Sequence, residues 1–439
     1  MLSVEAATRD HGAVAEESIL KELRQMLDKG VLRAVREGDL STEDRRNTIR
    51  SLLFLKEKFT PSGAFEKLKA RLVANGAQQD REVYDNSSSP TASIPALFMV
   101  FAIAAKEGRH VASADIGGAY LNADIEKGPL FMRVSRNLVK YFLKLDPNLS
   151  EFACEDGTLL FQIVKAMYGT VEAGRLWYED MSATLERDGF KRNEHERCVF
   201  NKTIGGVQVT VLLYVDDLVI TSAKKSLVEA VIEMLTEKYK QVTFNIGDIH
   251  DYLGMVFEMS GEGRAKVSMI EYLKNVLKFA EIDGTAATPA TSKLFEVSDD
   301  AAKLNRKEAK KFHTIVAKLL YMSKRTRIDI MTAVSFLCTR VREPTVEDLA
   351  KLTRVLKYLN GTIDHYIILS ISDDLKVIVY VDASFGIHMD GKGHTGIFIT
   401  LGIGPIYCRS SKQKSVSAST SEAELITLGE AYPIILWVR

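Results

Sequence analysis

A chain of 439 residues, 46% of them apolar and only nine of them proline, is too long for one ordinary core and predicts a globular protein of two to four structural units. Lysine plus arginine and aspartate plus glutamate balance at 58 each, so no global field draws the chain to nucleic acid, and any basic surface must be local. The N-terminus carries acids and no apolar core, the four cysteines (Cys154, Cys198, Cys338 and Cys408) form no CxxC pair, and the longest apolar run, 95–105, is too short to span a bilayer; a signal peptide, disulfides and a zinc site are disfavoured, and a soluble intracellular protein is expected.

Residues 15–55 carry apolar positions at helical spacing, with Ser41 as a helix N-cap, and residues 1–53 are expected to form a helical leader of unreadable role. From Phe54 two β-like runs surround the turn residues Pro61, Ser62 and Gly63. In the second run Lys67, Lys69 and Arg71 alternate, so a strand puts all three on one face, either a solvated face or a basic comb for phosphates. A buried helix near 94–107 leads to "VASADIGGAYLNADI", where Asp115 ends a strand and Gly117-Gly118 permits close backbone approach. A strand, a Tyr-Gly turn and an amphipathic helix follow, then a hairpin over 207–222 and another helix. Antiparallel strands interspersed with helices predict an α+β, palm-like domain. Beyond it come a helix within 260–290, an exposed linker over 285–300, and long helices over 309–342 and 345–360, the second opened by the capping box Thr345-x-x-Asp348. From about residue 376 three strands and a helix starting near Ser421 form a last, unfinished-looking unit, which predicts truncation.

Within the hairpin, "VLLYVDDLVITS" sets Asp216 and Asp217 side by side between apolar runs. An acidic turn is the plainer account, although Asp-Asp offers no glycine or asparagine for positive φ. The alternative is a divalent cation that offsets the repulsion, which requires a third carboxylate elsewhere.

The blocks "KLKARLVANG", "ADIGGAYLNADI", "KAMYGTVEAGRLW", "GFKRNEHERCVF", "LLYVDDLVITS", "GDIHDYLGMVFE", "RTRIDIMTAVSFL", "LKYLNGTIDHY" and "SKQKSVSASTSEAEL" stand in the order and spacing of one family. From about Phe54 onward the chain resembles the reverse transcriptase region of copia-type LTR retrotransposon Pol polyproteins. The resemblance implies a right-hand polymerase fold: fingers and palm over 54–258, thumb and connection over 259–370, and a truncated RNase H-like α/β unit over 376–439. It implies an RNA-directed DNA polymerase whose Asp115, Asp216 and Asp217 hold two Mg²⁺ or Mn²⁺ ions about 4 Å apart. Asp115 and Asp216 would bridge the ions and Asp217 would assist. Lys69 and Arg71 would meet the triphosphate, Tyr120 would reject ribonucleotides, Tyr168 and Gly169 would line the sugar pocket, and Gly254 and Met255 would form the primer grip.

The implied partners are an RNA template, a DNA primer, deoxynucleoside triphosphates and other Pol segments such as integrase and the rest of RNase H, with no membrane. The implied location is the cytoplasm, in a virus-like particle, or the nucleus. The sequence departs from the family where Thr170-Val171-Glu172 and Gly174 replace Leu-Lys-Gln and proline, which removes a lysine but no metal ligand. Asp382 and Glu424 match the first two RNase H acids, and the later acids would lie beyond Arg439, so no RNase H activity is expected. A second hypothesis is an inactive retrotransposon-derived fragment that only binds nucleic acid or a polyprotein partner; a nuclease centred on Asp382 and Glu424 is a weaker third.

Overall fold

The computed structural model describes residues 1–59, 65–84, 87–126 and 128–439; the expected turn at Pro61, Ser62 and Gly63 lies outside them. The strand Phe65–Ala74 alternates as its sequence demands: Leu68, Ala70, Leu72 and Ala74 are buried, while Lys67, Lys69 and Arg71 share the outer face. It pairs antiparallel with Ile49–Phe59, which joins Leu2–Ser3, Leu130–Val134, Leu159–Ile163 and Leu32–Val35 in a six-stranded sheet. The outer side of Phe65–Ala74 is a sheet edge, and the helix Ala13–Asp28 covers it. Ser18 Oγ donates to the Leu68 carbonyl at 3.1 Å and accepts from the Ala70 N–H at 3.0 Å, while Glu22 Oε1 accepts from the Leu72 N–H at 3.2 Å. Side chains one helical turn apart thus satisfy backbone groups that a free edge would leave to water.

The expected helical run over 15–55 is therefore corrected. Helix Ala13–Asp28 ends before the strand Leu32–Val35, and Ser41 does cap a helix, but only the six-residue Thr42–Asn47. "IRSLLFLKEKF" is a strand, because the Ile49–Leu55 segment gains partners on both sides that outweigh its local helical spacing. Positions 53/54 and 258/259, expected as boundaries, lie inside the strands Ile49–Phe59 and Met255–Met259.

A second, wholly antiparallel six-stranded sheet runs in the order Val242–Ile246, His110–Ile116, Asp217–Ser222, Val207–Tyr214, Val199–Ile204, Lys191–Arg192. Helices Ile94–Lys106, Ala173–Arg187 and Lys225–Tyr239 pack on it and bury its Val, Ile and Leu side chains. Phe101 of the first helix stacks on Phe257 at 3.9 Å, which carries the same core into a third sheet, Ile249–Tyr252, Met255–Met259, Ala265–Ser268 and Ile367–Leu369.

The single helix expected over 309–342 is two, Arg306–Ser323 and Met331–Cys338, separated by the turn Ile328–Ile330. Arg327, 2% exposed, causes the break: its guanidinium donates to Asp329 and to the Thr362 carbonyl at 3.0 Å, a set of acceptors that a continued helix would not bring together. Helix Val346–Asn360 opens with the expected Thr345–Asp348 capping box. A three-stranded sheet (Ile378–Ser384, His394–Thr400, Tyr407–Lys412) and the helix Thr420–Val438 complete the chain. Among the described residues no helix is long and apolar enough to cross a membrane.

Candidate active site

Asp115 and Asp217 are register partners on adjacent antiparallel strands, so their side chains rise from the same face of the second sheet. Asp216 sits one residue away in a two-residue turn. The turn is not Asp-Asp, as its sequence suggested: Tyr214 pairs with Asp217, so Val215 and Asp216 make the bend, and Val215 takes the positive φ of 58°. Desolvation in the cleft, with the Asp216 and Asp115 charges behind it, pushes the Asp217 carboxyl up to about 6. Asp115 is raised by desolvation and then by Asp216, with Lys69 and Arg71 opposing.

Lys69 faces this acidic group from the first sheet. Burial and the neighbouring Arg71 and Lys58 lower its ammonium pKa, and the charges of Asp115 and Asp216 oppose that. Arg71 donates to Glu22 Oε2 at 3.2 Å and lies 4.8 Å from the centroid of the Tyr168 ring. Burial pushes the Tyr168 hydroxyl up to about 12. Tyr168 in turn packs 5.2 Å from Tyr120, whose hydroxyl is raised by burial and by Asp216. Tyr120 lies in the turn Ala119–Asn122 directly after the Asp115 strand, rather than in a strand core.

The Tyr-Gly turn is locked to the first sheet by close backbone approach. Ala74 N–H donates to the Tyr168 carbonyl at 2.8 Å. A Cβ on Gly169 (φ 93°) would stand 2.1 Å from the Ala74 carbonyl oxygen, and one on Gly76 would stand 2.1 Å from the Gly169 carbonyl oxygen. Only glycine fits either position. The altered run leads into helix Ala173–Arg187, with Val171 N–H donating to Gln79 at 2.9 Å.

The structure thus brings Lys69, Arg71, Asp115, Tyr120, Tyr168, Asp216 and Asp217 together around one site. Gly254 and Met255 lie elsewhere, on the third sheet. Gly254 takes φ 74° in the turn after Leu253, whose carbonyl accepts from the Tyr321 hydroxyl at 2.8 Å. Met255 is fully buried, so its side chain packs into the core. Asp382 is on the free-edge strand of the last sheet, and Glu424 Oε1 accepts from the adjacent Ala383 N–H at 3.2 Å.

Asp115 and Asp217, whose ionisation is disfavoured by desolvation and by neighbouring carboxylate charge, make with Asp216 a donor set suited to a hard divalent cation. Among the described residues, however, no three acidic, His or Cys groups stand close enough to form a finished cation site, so the carboxylates would have to converge on a bound ion.

Sequence reasoning missed Glu22, Trp177 and Tyr252. Glu22 had a signal: it falls within the buried helical stripe of Ala15, Ile19, Leu23 and Met26, where an acid needs a partner.

Residues 44–292 match the reverse transcriptase (RNA-dependent DNA polymerase) family. The chain is 27% identical over 386 residues to the retrovirus-related Pol polyprotein from transposon RE2 of Arabidopsis thaliana, covering 87% of this chain and 25% of that one. It is 27% identical over 322 residues to a transposon Ty5-1 protein of Saccharomyces cerevisiae, covering 72% of this chain and 98% of the relative. It is 24% identical over 441 residues to the transposon Ty1-NL1 Gag-Pol polyprotein of the same yeast, covering 95% of this chain and 24% of that one. The chain spans about a quarter of the length of the polyproteins it matches. With more than half of its residues matched, the chain belongs to the reverse transcriptase family and is related to copia-type Pol polyproteins.

Proposed function

We propose that the chain is an RNA-directed DNA polymerase that extends a DNA primer on an RNA or DNA template. The observation that carries this reading is the shared register of Asp115 and Asp217, with Asp216 at the adjoining turn and Lys69 within electrostatic reach. In this reading the second sheet with its three helices is the palm and the first sheet is the fingers, which then include the helix Ala13–Asp28. Residues 259–370 are thumb and connection, and 376–439 an RNase H-like unit.

Asp115, Asp216 and Asp217 would hold two Mg²⁺ or Mn²⁺ ions. Bound there, such ions activate the primer 3′-hydroxyl and neutralise charge on the leaving pyrophosphate. Lys69 and Arg71 meet the triphosphate oxygens, where charge builds in the transition state. The Tyr120 ring, braced by Tyr168, closes the space beside the sugar C2′ and excludes a 2′-hydroxyl. Gly169 lets backbone line that pocket. Primer, template and other Pol segments are the partners in this reading, and a virus-like particle is its setting.

Primer extension on an RNA template, with Mg²⁺ and then Mn²⁺, tests it. Extension by wild type and none by Asp216→Asn, with primer-template binding retained, supports the reading. No extension by a folded wild type refutes it and leaves a nucleic-acid-binding relative without chemistry.

A further inference from the structure

Val215 is a β-branched residue at φ 58°, a region such residues occupy only when their surroundings hold them there. Three consecutive carbonyls at this bend are each held from outside the hairpin. Trp177 Nε1–H donates to the Val215 carbonyl at 2.6 Å, Ile116 N–H to the Asp216 carbonyl at 3.0 Å, and the Tyr252 hydroxyl to the Asp217 carbonyl at 3.1 Å. Both aromatic donors are buried. They arrive from separate elements, the helix Ala173–Arg187 and the strand Ile249–Tyr252. Trp177 is itself wedged edge-on against Tyr239 at 5.2 Å. The Tyr214–Asp217 pairing already closes the turn, so the outside bonds select its conformation rather than its existence.

We propose that Trp177 and Tyr252 are positioning residues that lock the Val215–Asp217 backbone in its strained form, so that Asp216 stays next to the face that Asp217 shares with Asp115. This rests on the polymerase reading of the cleft. Without the indole bond, Val215 can return to negative φ, the peptide between Val215 and Asp216 turns over, and the Asp216 carboxylate moves away from that face. Neither aromatic residue touches substrate; each acts through a backbone carbonyl.

The test uses the full chain and four proteins: wild type, Trp177→Phe, Val215→Gly and the double variant. Phenylalanine keeps a ring against Tyr239 and removes only the donor. Glycine occupies positive φ without strain and so does not need the lock. Trp177→Phe is expected to lower kcat for primer extension by about a hundredfold or more, since a misplacement of about 1 Å in reacting groups already costs about that much. It should also weaken Mn²⁺ binding measured by calorimetry, with primer-template affinity unchanged. Val215→Gly placed on top should recover most of both, and Tyr252→Phe should reproduce the loss in milder form.

A Trp177→Phe protein with wild-type kcat and Mn²⁺ affinity overturns the proposal. So does a loss that Val215→Gly fails to lessen. A thermal-unfolding cycle over the same four proteins needs no catalysis: non-additive melting shifts support the lock and additive ones overturn it. A wild type that neither extends primers nor binds Mn²⁺ refutes the polymerase reading instead, and the cycle still decides the lock.

Discussion

Asp217→Asn tests the charge logic of the cleft most directly. Desolvation and two neighbouring carboxylates raise Asp217 from 3.8 to about 6. Between pH 4 and pH 6 the folded chain therefore holds a proton that the unfolded chain has released, so stability falls as pH rises through that window and the full cost stands above it. A rise of about two pH units, at about 1.4 kcal/mol each, sets an upper bound of about 3 kcal/mol. Solvent screening in an open cleft reduces this to about 1–2 kcal/mol. Asparagine is nearly isosteric and uncharged. In EDTA at pH 7–8, Asp217→Asn should therefore unfold later than wild type in urea or heat, and the gap should shrink toward zero as the pH falls to 4. Adding Mg²⁺ should raise the wild-type midpoint more than that of Asp217→Asn, because only the former has its full ligand set. A variant no more stable than wild type at pH 8, or one whose advantage does not change with pH, would refute the reasoning.

Glu22→Ala leaves the Leu72 N–H and the Arg71 guanidinium short of a buried acceptor; about 2–3 kcal/mol of stability should be lost, and the KM for deoxynucleotide should rise more than kcat falls, whereas Glu22→Gln should do less of both. Gly169→Ala drives a Cβ to 2.1 Å from the Ala74 oxygen at φ 93°; circular dichroism should show a fold weakened by more than about 3 kcal/mol, and a wild-type melt would contradict the contact. Tyr120→Ala removes the ring packed 5.2 Å from Tyr168; the ratio of kcat/KM for ribo- over deoxynucleotides should rise, and an unchanged ratio would strip Tyr120 of its assigned role.

The carboxylates and the basic comb were legible because each is written in local sequence: an acid pair between apolar runs, and cations at period two. The cleft that joins them was reached only through resemblance, since the strands carrying Asp115 and Asp217 are a hundred residues apart in sequence and no local pattern states their register. The helix Ala13–Asp28 showed the limit most clearly. Its spacing gave a helix, yet its purpose lies in Ser18 and Glu22 meeting an edge strand about fifty residues later. The segment after Asn47 was misjudged for the same reason, because strand pairing on both flanks overrode a periodicity that looked helical. Arg327 ended a helix early through partners at Asp329 and at Thr362, the latter supplied from another segment. The burial of Met255 was not legible either: position in a motif says which strand a residue joins, not which face its side chain takes.

An electroneutral chain can still serve polyanion chemistry if its charges are sorted, and here they are sorted across one cleft. Asp115 and Asp217 of the second sheet are held above their ordinary pKa, and Lys69 of the first sheet is held below its own. Each side is disfavoured by lost solvation, so neither arrangement is explained by the stability of the empty protein. Strain at Val215 adds a third local cost at the same place. Costs that converge on one place mark where folding has given way to function. On the proposed polymerase reading, a triphosphate carrying divalent cations would answer all of them together: its phosphates would meet Lys69 and Arg71, and its cations would offset the carboxylates.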